Sequence, residues 1–430
     1  MIRLLRKYLY LGLFLFAVSV FLVHYAVSGQ AVYGDGIGYY SHLHSFVIDG
    51  DWDYTNEYKH IYDSEHNNVD TGIESPVVQI VGTTEDGKAE NFYGTGVAVL
   101  LLPFYLLAHL ISNLANLFGT GLSVQGYGDI YQVLTGVGAI FYAVWGVYFL
   151  DKVIYFVIHD KKLSLLSSVA VFLSTSLLYY GSFDVINSHF ASFFLTVVFF
   201  YLFMTKKNSL LLGLVAGLIT LNRVQDSVVV LIWLVDAQHG REFGKSVKKF
   251  VIGFVFAIVP LIVHWSSVIS DPLNHPYLRG LPEKFCEQSV DFFGSLFNPV
   301  TGLFFRTPVL LVVFIFFLYL VWKKDIKNLV YPFLFFLMQF VIITIQGGWE
   351  AAAYGGRMYI SSLVFFGLVL GKLLLSFRKK SQVAVYLFVA IFVVINFLSM
   401  AVFILRDKGA EGGTYGTEQR TIQRLEKFLE

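Results

Sequence analysis

Cysteine is almost missing from this chain: Cys286 stands alone, which excludes an intramolecular disulfide and any cysteine-ligated metal cluster. Charge is scarce as well. Asp, Glu, Lys and Arg make up 14% of the 430 residues, and a net charge of +1 gives no electrostatic footprint for nucleic acid. The chain has no internal repeat and no stretch that reads as a separate soluble domain. What it has in abundance is apolar surface, with 56% hydrophobic and 17% aromatic residues and a mean hydropathy of +0.65. A soluble globular domain does not reach such values. Uncharged runs of about 18 residues or more recur along the chain, each long enough to cross a ~30 Å hydrocarbon core as a helix. The sequence therefore predicts an all-α polytopic membrane protein.

The N-terminus carries Arg3, Arg6 and Lys7 ahead of an apolar stretch that continues to about Val27. That stretch is longer than the apolar core of a cleaved signal, so a retained first helix is expected. Basic residues near helix ends resist translocation. Six basic groups recur, around Arg6, Lys161, Lys206, Lys248, Lys324 and Lys379, and helices can be drawn that put all six on one side, the cytoplasmic one. The drawing uses about eleven spans, near 6–29, 129–150, 163–181, 186–205, 209–222, 225–236, 250–269, 303–322, 328–346, 357–376 and 382–405. It requires "NFYGTGVAVLLLPFYLLAHLISNLANLFG", interrupted by Pro103, to lie along the outer face as an interfacial helix. Residues 1–405 then form one transmembrane bundle with a first outer loop at 30–128, and 406–430 form an outer tail. The expected location is the plasma membrane, with the N-terminus cytoplasmic.

The outer segments hold the residues with chemistry. Asp35, between Gly34 and Gly36 and followed by Tyr39 and Tyr40, stands just beyond the first helix, where partial desolvation suits a carboxylate to general-base work. The structural alternative is that Asp35 caps the helix "GIGYYSHLHSFVI". Asp49, Asp51 and Asp53 alternate in "DGDWDYTNEY", with Glu57 close by. Oxygen ligands in that pattern could hold Ca²⁺, Mg²⁺ or Mn²⁺, although the Gly and Glu of an EF-hand are missing. A turn whose Asp side chains bond their own backbone is the alternative. His42 and His44, two apart on a helix, face different ways, which argues against zinc on that pair alone.

The order of these features resembles the GT-C class of polyprenyl-phosphate-sugar-dependent glycosyltransferases, in its protein O-mannosyltransferase and lipid A aminoarabinose transferase branch. The Asp in the first outer loop and the following Tyr-Tyr pair are part of the likeness. So are "ENFYGTGVAVLLLPFYLLAH", "LLLGLVAGLITLNRVQDSVVVL", "SLFNPVTGLFFRTPVLL" and "QGGWEAAAYGGRMYISSL". Where that class commonly has Asp-Glu this chain has Asp35-Gly36, so a second carboxylate would come from the acidic turn or is not needed.

The resemblance implies transfer of one sugar at the outer face to a glycan, lipid or protein hydroxyl, with Asp35 as base, inversion at the anomeric carbon and no obligatory metal. Outer-facing arginines near helix ends, Arg223, Arg306 and Arg357, would hold the lipid phosphate, with snorkelling as their bland alternative. Tyr39, Tyr40, His189, Trp349 and Glu350 are the candidates for sugar or acceptor contact. A structural histidine and an interfacial aromatic belt are the competing readings of His189 and Trp349. A transporter or flippase of a lipid-linked sugar, a lipid-linked glycan polymerase or ligase, and a non-catalytic assembly subunit share parts of this pattern. The charges crowding the outer boundary, away from the midplane, speak against the transporter.

Overall fold

The computed structural model of the chain describes residues 2–63, 87–89, 91, 93–240, 242–268, 290–347, 349 and 354–407. Among these no strand forms, as expected where backbone groups must be satisfied within each segment. The helices are α1 (Ile2–Ser28), α2 (Gly36–His44), α3 (Thr55–Asp63), α4 (Gly96–Leu117), α5 (Asp129–Ile158), α6 (Lys161–Ser174), α7 (Leu177–Tyr180), α8 (His189–Met204) and α9 (Ser209–Asn222). They continue with α10 (Val229–Ala237), α11 (Phe243–Val268), α12 (Phe292–Phe297), α13 (Leu303–Arg306), α14 (Pro308–Trp322), α15 (Val330–Gln346), α16 (Leu363–Arg378) and α17 (Gln382–Val402). A π turn at Ser45–Asp49 follows α2, and 3₁₀ turns at Val224–Val228 and Arg357–Ser362 lead into α10 and α16.

Among the described residues, six segments are long and apolar enough to cross a membrane: Arg6–Ser28, Gly96–Leu117, Asp129–Ile158, Phe243–Ser266, Arg357–Arg378 and Gln382–Leu405. The chain is thus a multi-pass helical membrane protein. The eleven expected spans are only partly matched, because α8, α9, α14 and α15 are shorter apolar helices and the stretch expected at 163–181 divides into α6 and α7. The tail from residue 408 lies outside the described residues, as does Cys286.

Ion pairs define the two ends of the bundle. At one end Arg6 pairs with Asp151, Lys206 with Asp236, Lys372 with Asp325, and Arg378 with Asp160, gathering the basic groups there. The other end carries the C-terminus of α1, where Tyr25 donates to Asp129 at the start of α5, and the beginnings of α8 and α16. Helix α4 is long enough to cross and packs along α5, with Phe104 against Gly138, Phe141 and Tyr142. Its first turn lies on Leu221 and Asn222 at the close of α9, and His109 bonds Tyr131 in the first turn of α5. Elsewhere small residues bring backbones together: Gly213, Gly217 and Gly253 seat α9 directly on α11.

The fully buried Asp151 accepts from Arg6 Nη2 at 3.0 Å, the Tyr10 hydroxyl at 2.8 Å and Ser164 Oγ at 2.6 Å, locking α1 to α5 and α6. Asp151→Leu strands Arg6 beside an apolar side chain and is expected to cost roughly 3 kcal/mol. Thermal unfolding in detergent checks this; an unchanged midpoint would show that the lock adds no stability. A second latch holds α17, where buried Asn396 donates to the carbonyls of Leu173 and Thr175 and accepts from the Tyr354 hydroxyl.

Candidate active site

Asp35 opens α2 without capping it: its side chain accepts nothing from the first-turn N–H groups. The carboxylate turns instead across the bundle. Oδ2 accepts from Arg357 Nη1 at 3.0 Å and Oδ1 from the Tyr93 hydroxyl at 3.2 Å. The capping alternative therefore fails for this residue, and three segments remote in sequence meet on one carboxylate that is 38% exposed.

Local sequence makes this meeting possible. Gly38 leaves the flank of α2 open, and a Cβ there would run into the Tyr93 ring that lies on it. Tyr39 packs edge-on against the same ring at 4.9 Å. On the opposite wall, Gly355 and Gly356 both have positive φ, +50° and +62°, a tight reversal that L side chains resist. That reversal launches the 3₁₀ turn with Arg357 as its first residue. Arg357 gives Nη1 to Asp35, while its Nε is buried with no hydrogen-bond partner. Tyr180 and Asp184 also lie within electrostatic reach of this guanidinium.

Arg223 approaches from the end of α9. Its guanidinium lies 3.3 Å from His189 Nδ1, donates to Gln225 Oε1 at 3.3 Å, and touches the sulfur of Met358, the neighbour of Arg357. Behind it, Asp226 accepts from Ser192 Oγ at 2.8 Å and Asn222 donates to Ser188 O and Ser192 Oγ, fixing the 3₁₀ turn in which "NRVQDS" ends α9. His189 packs against the Tyr180 ring at 4.5 Å, and Tyr180 in turn accepts the backbone N–H of Tyr354.

The structure thus groups Asp35, Arg357, Arg223, His189 and, through Tyr93, Tyr39. It does not group every expected residue. Arg306 lies behind the glycine reversal, its Cβ against Gly355 and its guanidinium 5.9 Å from the Phe403 ring. The Tyr40 hydroxyl donates to Gly126 O at 2.6 Å, a packing role inside the first loop. Trp349 is buried against Gly294 of α12, and Glu350 lies outside the described residues. Tyr93, Tyr180 and Asp184 join the site without having been expected there. Their stretches, "NFYGTG" and "YYGSFDVINSHF", are visible, but nothing in their spacing ties them to Asp35.

The acidic turn divides. Asp51 Oδ1 accepts from Ser45 Oγ and the backbone N–H of Asp53, and Asp53 Oδ1 accepts from the N–H of Thr55, so both side chains serve their own turn. Buried Glu57 and the more exposed Asp49 both lie against His44, whose Nδ1 is 3.0 Å from Asp49 Oδ2 and 3.2 Å from Glu57 Oε1. A four-carboxylate oxygen site is therefore not assembled, and this turn supplies no second carboxylate to Asp35. His42 faces elsewhere as expected, between the Tyr54 hydroxyl and Tyr93 O.

Burial pushes the Glu57 carboxyl up to about 7 against the pull of His44. For His44 burial disfavours the charged ring, but the hydrogen bonds to Glu57 and Gln125 O and the charges of Glu57 and Asp49 prevail and raise its pKa. Burial lowers His42 to about 4. A raised histidine stabilises the folded loop fully below its unfolded pKa of about 6.5, and the contribution disappears as pH rises through the folded value. The Glu57 contribution has the same sign and is lost by about 7. His42, of opposite sign, is neutral in both states above pH 7. In chelator, raising pH from 7 to 9 should therefore lower amide protection across residues 36–63 beyond the ordinary base-catalysed rise in exchange, and His44→Gln should remove that loss of protection. Wild-type protection that does not change between pH 7 and 9 would contradict the assignment.

Set against protein families, curated proteins and solved structures, the chain matches none.

Proposed function

We propose that the protein is a membrane glycosyltransferase that moves one sugar from a polyprenyl-phosphate carrier to an acceptor hydroxyl. The observation that carries this reading is the Asp35 carboxylate, freed from helix capping and held by Arg357 and Tyr93 at the end of the bundle opposite the basic groups. Two arginines converge there. The buried, unpartnered Nε of Arg357 and the guanidinium of Arg223 offer N–H donors of the kind that grip a phosphate.

In this reading a lipid phosphate draws the Arg357 guanidinium toward its own oxygens and releases the Asp35 carboxylate. The acceptor oxygen then attacks the anomeric carbon from the face opposite the phosphate while its proton passes to Asp35. The bond from the anomeric carbon to the phosphate oxygen breaks with its electron pair, leaving polyprenyl phosphate, whose added charge Arg357 and Arg223 stabilise. The sugar is inverted. His189 and Tyr39 border the site and would meet sugar or acceptor hydroxyls. The chain would pass between the two ends eleven times, short helices included, with the basic end cytoplasmic by the positive-inside rule.

The test is turnover of labelled polyprenyl-phosphate sugars by the purified protein in lipid discs, with the anomeric configuration of the product read by NMR. Release of polyprenyl phosphate with inverted product is expected. Retention of configuration, or movement of intact donor across the bilayer without cleavage, would reject the proposal.

A further inference from the structure

The residues His44, Asp49 and Glu57 lie in the first loop, at the C-terminal end of α2, in the π turn and in α3. Each presents one metal-binding atom, and the three atoms lie within 4.8 Å of one another. Two of the separations, 3.0 and 3.2 Å, are close to the ~3.4 Å between neighbouring ligands of a tetrahedral zinc with bonds of about 2.0–2.1 Å. We infer that these three side chains form a zinc site that fastens the first loop.

The donor set selects the metal. One imidazole nitrogen with two carboxylate oxygens suits zinc, whereas calcium and magnesium take oxygen alone. The second ring nitrogen of His44 is already committed: Nε2 lies 2.8 Å from Gln125 O, so an Nε2–H donated to that carbonyl leaves Nδ1 with its lone pair toward the carboxylates. A metal-binding histidine is held in that way as a rule. The Tyr127 ring stacks on His44 at 4.0 Å and covers it, with His60 stacked on Tyr127 at 3.7 Å.

An independent observation concerns Glu57. Its side chain is fully buried, yet while Oε1 faces His44, Oε2 has no hydrogen-bond partner. A buried carboxylate oxygen without a donor is costly unless a cation satisfies the group. A zinc ion bound to Glu57, Asp49 and His44 supplies that charge and leaves a fourth position for water. The site would tie α2 to α3 and to the 125–127 turn. Its role is structural and does not depend on the proposed sugar transfer.

The test uses the full-length protein in lipid discs, stripped with chelator, returned to zinc chloride alone and desalted. Zinc per chain is then measured by mass spectrometry, and amide exchange of residues 36–63 is followed with and without zinc. One zinc per wild-type chain is expected, with slower exchange in that segment. Glu57→Gln and Asp49→Asn should each weaken zinc binding at least tenfold, while Asp51→Asn, whose carboxylate serves its own turn, should bind as wild type does. Asp49 is one-quarter exposed, so Asp49→Asn keeps the test open if Glu57→Gln fails to fold. No stoichiometric zinc in wild type, undiminished zinc in Asp49→Asn, or calcium bound in preference to zinc would each overturn the inference.

Discussion

Asp35→Asn is expected to lower sugar transfer by roughly 10² to 10⁴-fold, the usual contribution of a positioned general base. Asparagine matches the carboxylate in size and can still accept from Tyr93 and Arg357, but it cannot take a proton from an attacking hydroxyl. Folding should survive. The Asp35 side chain is 38% exposed, and ion pairs this open contribute at most about 1 kcal/mol. Donor binding should survive too, because Arg357 and Arg223 are left in place and one of them is released from its anionic partner. Initial rates, donor affinity and thermal midpoint measured on one preparation separate these effects. Wild-type rates in the variant would remove Asp35 from the mechanism, and a large fall in thermal midpoint would make it a structural anchor.

Arg357→Lys is expected to lower kcat/KM by about 10² to 10³-fold, the range seen when one donor to a developing oxyanion is removed. The charge stays, but the planar fork is lost, and with it the ability to bond Asp35 through Nη1 while offering Nε elsewhere. Both kcat and donor affinity should fall, since the guanidinium would hold the phosphate before and during cleavage. Arg306→Lys is the control. That residue lies behind the Gly355–Gly356 reversal, and its substitution should leave donor affinity near the wild-type value. Equal losses in both variants would point to general electrostatics in place of a specific grip.

Much of the architecture was legible in the sequence because lipid imposes so few solutions on a backbone. Long apolar runs gave the helical class and the positions of α1, α5, α16 and α17, and the clustering of basic residues anticipated the two ends of the bundle. The interruptions were not legible. Thr175 and Ser176 separate α6 from α7 in a run that reads as one span, and Asn396 holds that break by bonding the carbonyls of Leu173 and Thr175. A contact across more than 200 residues leaves no local pattern.

The candidate site was readable in the same uneven way. Asp35, Arg223, His189 and Arg357 stood out as polar residues at the ends of apolar runs, and they converge. Asp51 and Asp53 stood out equally, but alternation along an extended turn cannot show which carboxylates face inward, and the backbone claimed these two. His44 was set aside because a partner was sought two residues away. Its partners came from the π turn and α3, brought in by the fold of the loop.

As the proposed base, Asp35 would take the acceptor's proton while a sugar leaves its lipid phosphate. A single-turnover experiment addresses this role directly: donor is bound in slight deficit to wild type and to Asp35→Asn in lipid discs, acceptor is added, and free polyprenyl phosphate is followed in time. Formation of polyprenyl phosphate by wild type, with the same donor bound but intact on Asp35→Asn, is the predicted result. Equal release by both proteins, or intact donor on both, would contradict it.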